Sequence, residues 1–166
     1  YSNTISEGNT AVGYRALFSN TGTGFFNGTD NTACGKRALE SNESGYGNTG
    51  VGSMCLSNST TGGGNTGVGH NALGANTTGN GNTAIGQGSL QFNTDGQANT
   101  VLGSGAMYNN LIGSWNVAVG GAAMFNAGYG WGNVAVGGTA LNNNTYGSSN
   151  VCIGHQAGSQ IQFGSD

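Results

Sequence analysis

A three-residue figure recurs along this chain: threonine or valine, then a small residue, then valine, isoleucine, leucine or cysteine, with asparagine before it and glycine after it. The asparagine stands at Asn9, Asn31, Asn48, Asn65, Asn82, Asn99, Asn116, Asn133 and Asn150. From Asn31 onward every step is 17 residues; the first step is 22, which places a five-residue insertion in the first repeat, within Thr21–Asp30. The fuller unit reads N-[TV]-[AG]-[VI]-G-x-x-A-L, then a variable stretch, then glycine at the fifteenth position. Apolar alternation this short predicts a strand. A 17-residue unit is too short for paired helices, and Gly, Asn and Thr are poor helix formers. The expected fold is therefore all-β: a parallel β-roll of nine 17-residue coils over residues 9–166, each coil with two short strands and two turns. Residues 1–8 read as the end of a preceding coil or a linker. At a rise of about 4.8 Å per coil the rod measures roughly 43 Å.

Each column of such a stack has a physical role. Position two is Thr10, Thr32, Thr49, Thr66, Thr83 and Thr100, then Val117, Val134 and Val151. Position four is Val12, Cys34, Val51, Val68, Ile85, Leu102, Val119, Val136 and Ile153. Alternation puts both on one face, and the drift from Thr to Val assigns that face to the interior. Positions eight and nine, Ala16-Leu17 through Ala140-Leu141, form the other apolar contribution. On a strand they point opposite ways, so one of these columns is expected to face another chain. The asparagines Asn31, Asn48, Asn65, Asn82, Asn99, Asn116, Asn133 and Asn150 are expected to form a ladder of side-chain amides. Glycine at positions five and fifteen allows positive φ or close chain approach. Cys34, Cys55 and Cys152 occupy different columns and read as small apolar fillers, not a disulfide framework.

Composition narrows the function. Only nine of 166 side chains are formally charged, three basic against six acidic, so no basic surface exists to neutralise phosphates and nucleic acid is not an expected partner. Leu, Ile, Val and Phe total 28, too few for a broad globular core, yet the chain lacks the charge of a disordered one. Collagen is excluded by the absence of proline and of a three-residue glycine period. No run of 18 apolar residues predicts membrane insertion. The sequence starts at Tyr1 and shows no signal peptide, and it reads as a piece of a longer protein.

Catalytic chemistry is hard to find. His70 and His155 share position six but lie five repeats apart. Glu40 and Glu43 read as a solvated edge, and Asp30, Asp95 and Asp166 do not recur in phase as a metal-binding roll requires. No enzyme, metal or cofactor is expected. Arg15, Arg37 and Lys36 are either a small anion site or three solvated cations. Sequons occur at Asn27, Asn42, Asn58, Asn76 and Asn143. Position fourteen turns apolar late in the chain, as Ile112, Tyr129, Tyr146 and Phe163, with Trp115 and Trp131 nearby. Trp115, Tyr129, Trp131 and Tyr146 are thus a candidate receptor or glycan stripe; packing against a neighbouring chain or domain is the alternative.

The segments N-V-A-V-G at Asn116–Gly120 and Asn133–Gly137, and N-V-C-I-G at Asn150–Gly154, resemble the repeats of trimeric autotransporter adhesin heads. The longer G-N-T-A-V-G-Y-R-A-L-x-S-N-T at Gly8–Thr21 is similar to repeats of phage tail-fibre proteins. This resemblance implies a left-handed roll, a homotrimer, flanking domains of the same longer chain, and a fibre or adhesin segment on an extracellular or virion surface that contacts a host receptor or glycan. The pattern is also related to ice-binding rolls, which makes an ice-binding β-solenoid the alternative function.

Overall fold

The computed structural model describes residues 7–22 and 28–163. Nine strands of three residues each form one parallel sheet in chain order: β1 (Thr10–Val12), β2 (Thr32–Cys34), β3 (Thr49–Val51), β4 (Thr66–Val68), β5 (Thr83–Ile85), β6 (Thr100–Leu102), β7 (Val117–Val119), β8 (Val134–Val136) and β9 (Val151–Ile153). Every pairing joins equivalent positions, from Thr10 opposite Thr32 to Ile153 opposite Val136. The chain is a β-solenoid of stacked 17-residue coils, without helix among the described residues. β1 and β2 keep the common register across the longer first step; of the expected insertion, residues 23–27 lie outside the described residues.

Two expectations about the columns are corrected. Positions two and four face outward, not inward: Val12 is 59% exposed and Ile153 71%. The buried strand position is the third, where Ala33, Ala84, Val101, Ala118 and Ala135 have no accessible surface. The coil is too narrow for two branched side chains per strand, so the small residue goes inside and its larger neighbours go out.

The second correction concerns positions eight and nine. Both are buried, from Ala16 and Leu17 to Ala140 and Leu141. There is one strand per coil, and this segment is a turn. Position seven has positive φ in every coil, as at Arg37 (59°) and Thr139 (53°), and position nine does so at Leu39 (51°) and Leu141 (50°). Strand alternation therefore does not apply, and Ala and Leu both reach the interior. A left-handed non-glycine residue costs about 1–2 kcal/mol, which burial of a leucine at about 1.5–3 kcal/mol offsets. Leu17, Leu39, Leu56, Leu73, Leu90, Met107, Met124 and Leu141 stack as the single large column of the core.

At two glycines a cysteine takes up the space a side chain would fill. A Cβ at Gly67 would lie 2.5 Å from Cys55 Sγ, and one at Gly158 2.4 Å from Cys152 Sγ. Those two cysteines fill space that glycines vacate. Cys34 is instead exposed on the outer sheet face, in the valine column. Glycine at position five combines φ near 131° with close approach: a Cβ on Gly86 would meet the Gly103 carbonyl oxygen at 2.6 Å.

Candidate functional site

The asparagines of position one run through the interior as a continuous amide chain. From Asn65 to Asn150, each side-chain N–H donates to the Oδ1 of the preceding rung at 3.0–3.2 Å. At the start of the column, the backbone N–H of Asn48 donates to Asn31 Oδ1 at 2.9 Å. The second amide proton goes to the position-fifteen glycine carbonyl of the same coil, as in Asn82 to Gly96 at 2.8 Å. That carbonyl often accepts a second amide, here from Asn93 at 3.0 Å.

Asn93 belongs to a second buried column at position twelve, comprising Asn20, Asn42, Ser59, Asn76, Asn93, Asn110, Ala127 and Asn144. Reading the sequence for apolar phase missed it, although its recurrence every 17 residues was visible. Asn93 and Asn110 each donate to the preceding amide oxygen at 2.7 Å. Ser59 and Ala127 interrupt the column, and the Oδ1 atoms of Asn42 and Asn110, one coil before each gap, are buried without a hydrogen-bond partner. Asn144 Oδ1, followed by Ile161, is orphaned in the same way.

The most extensive external feature is the outer sheet face. Its two columns carry six threonines and three valines beside a column of Val, Cys, Ile and Leu. Parallel sheets ordinarily have both faces covered, and an open apolar strip this regular marks an interaction surface.

The candidate stripe divides in two. Tyr129, Tyr146 and Phe163 stack ring on ring, with centroids 5.2 and 5.5 Å apart and planes within 3° of parallel. Their faces are turned to one another along the rod, so their edges face outward. Trp115 and Trp131, 66% and 60% exposed, join no ring stack among the described residues. They occupy positions seventeen and sixteen, beside the entry to the sheet face. A second aromatic run, Phe92 edge-on to Tyr108 and Tyr108 stacked on Phe125, has both centroid distances at 5.0 Å.

Three of the charged residues form a cluster that was not foreseen. Glu40 is buried, not a solvated edge; Arg15 Nε lies 2.6 Å from Glu40 Oε1, and Arg37 Nε donates to Oε2. Arg15 also covers the Phe18 ring at 4.6 Å. One carboxylate thus engages both guanidiniums expected to be solvated or to hold an anion; Lys36 and Glu43 are exposed. Burial pushes the Cys55 thiol up to about 12. His70 and His155 are exposed and far apart. Among the described residues no three His, Cys, Asp or Glu side chains come together to hold a metal ion. No helix there is long and apolar enough to cross a membrane. Of the sequons, Asn42 and Asn76 are fully buried, Asn58 is exposed, Asn143 is half-buried, and Asn27 lies outside the described residues.

Comparison with protein-family models, curated proteins and solved structures finds no match to this chain.

Proposed function

We propose that this chain is a shaft or head segment of a fibre or adhesin on an extracellular or virion surface, in which three copies pack through their outer sheet faces. The observation that carries the reading is that face: a strip one strand wide, in register over nine coils, with Val, Ile and Leu turned outward. The Ala and Leu of the turn already lie inside, whereas this face stays open along the rod. Closed rotational symmetry along the rod covers such a strip without leaving an open edge, and the resemblance to adhesin-head and tail-fibre repeats supplies the number three. Trp115 and Trp131 border the strip and extend the contact. Flanking domains of the same chain and a host receptor or glycan are the other partners this reading includes.

Sedimentation equilibrium tests it: the account expects three times the 16.4 kDa chain mass at micromolar concentration, and a stable monomer overturns it. The outward threonine column from Thr10 to Thr100 favours one second reading, an ice-binding face. Thermal hysteresis from a monomeric segment would establish that reading in place of the first.

A further inference from the structure

We infer that the rod carries, on residues outside the sheet, a groove for an extended, neutral glycan, laid along the rod with one sugar ring per coil. This inference deepens the attachment reading and rests on it, because the assembly would bury the sheet face and leave the groove to solvent.

The groove is an open depression of about 290 Å³. One wall is a third amide row, at position eleven. Asn109 donates to Asn126 Oδ1 at 2.8 Å, Asn126 donates to Asn143 Oδ1 at 3.2 Å, and Asn143 donates to the Ser159 carbonyl at 3.1 Å. Unlike the two interior columns, this row is only half-buried. A side-chain amide has two N–H donors and two oxygen lone pairs. The row uses one of each at Asn126 and Asn143, so each rung keeps one donor and one acceptor for a ligand. Adjacent hydroxyls of a sugar ring accept and donate in the same pairing.

Gly128 lines the groove as well. Other coils carry Thr, Glu, Leu or Gln at this thirteenth position, and the missing side chain opens the space. Tyr129 also lines it and stacks on Tyr146. Their outward edges carry the positive part of the ring quadrupole, which receives sugar oxygens.

Charge and spacing select the ligand class. No carboxylate, amine, guanidinium or imidazole lines the groove, so nothing there favours an anionic or cationic polymer. The rungs are in register, each bonded to the next, and repeat at the coil rise of about 4.8 Å. A chain of equatorially linked pyranoses advances by nearly the same distance per ring; an axially linked chain coils away from such a row. The occupant is therefore an extended, uncharged polysaccharide.

Calorimetric titration of the purified segment with cellohexaose, cellobiose and maltohexaose tests this. Cellohexaose is expected to bind, cellobiose at least about tenfold more weakly through loss of a rung, and maltohexaose not at all. Affinity for cellohexaose is expected to be insensitive to salt. Asn126→Leu is expected to weaken binding by about tenfold or more, the effect of losing one or two hydrogen bonds, with mass and circular dichroism unchanged. Should that variant fold poorly, Thr145→Phe fills the groove from another of its lining positions and is expected to have the same effect. The inference is overturned if neither hexaose binds, if both bind equally, or if Trp115→Ser with Trp131→Ser removes binding that Asn126→Leu leaves intact. A trimer that binds neither sugar removes this inference alone; a monomer that binds cellohexaose removes the shaft reading alone.

Discussion

The first six coils and the last three share their buried columns but differ in what they turn outward. In β1–β6 position two is threonine; in β7–β9 it is valine, so both outward columns become apolar. Threonine and valine have almost the same shape, and each coil accepts either without repacking. The change therefore reports on the surroundings of the rod and not on its interior. A hydroxyl suits a wet contact, and a second methyl suits a dry one. In the proposed assembly, the contact along β7–β9 is the drier of the two, and Trp115 and Trp131 border this same end.

Charge placed in the two regions separates them most strongly. Val119→Lys with Val136→Lys puts two unpaired cations into the dry contact, at a cost of several kcal/mol each, and is expected to yield monomers at micromolar concentration. Thr49→Lys with Thr66→Lys lies where the ammonium reaches water and is expected to weaken association by only about tenfold. Sedimentation velocity distinguishes the two; equal effects would remove the contrast between the regions.

A smaller effect is expected inside, where the regions should behave alike. Ser59→Asn in the first region and Ala127→Asn in the second each restore a missing rung of the position-twelve column, giving a donor to the orphaned Oδ1 of Asn42 or Asn110. Each restored bond is worth about 1 kcal/mol, or a rise in Tm of about 2–4 °C for a chain of this size. Thermal melts followed by circular dichroism check this, and a fall in Tm for both variants would contradict the rung assignment.

How far the sequence disclosed this follows from the same columns. Phase alone located the strands and their parallel stacking, because nine in-step asparagines admit little else. It did not disclose which way the strand faces. The Thr-to-Val drift was read as burial, yet the drift lies on the outside, and the narrow coil selects the small third residue for its interior. The Ala-Leu pair was misread for a different reason: positive φ at positions seven and nine is invisible in residues such as Arg37 and Leu39, which ordinarily avoid it. Glu40 looked like a surface acid because one of its two arginines, Arg15, reaches it only by stacking from the coil before, while Arg37 stands three residues away in its own coil. Among the candidate aromatics, the sequence showed which were near one another. Only the structure separates Tyr129 and Tyr146, with faces stacked, from Trp115 and Trp131, which stack on no ring among the described residues.

The cysteines provide the most direct test that this strand face is turned outward and covered by other copies of the chain. Cys34 is exposed on that face, while Cys55 is sealed in the core with its thiol pushed up to about 12. Labelling with a thiol reagent, read by peptide mass spectrometry, is expected to modify Cys34 rapidly in the monomeric Val119→Lys, Val136→Lys variant and slowly in the unsubstituted assembly, with Cys55 unreactive in both. Rapid labelling of Cys34 in the unsubstituted protein would show the face uncovered, and slow labelling in the monomer would show that it does not point outward.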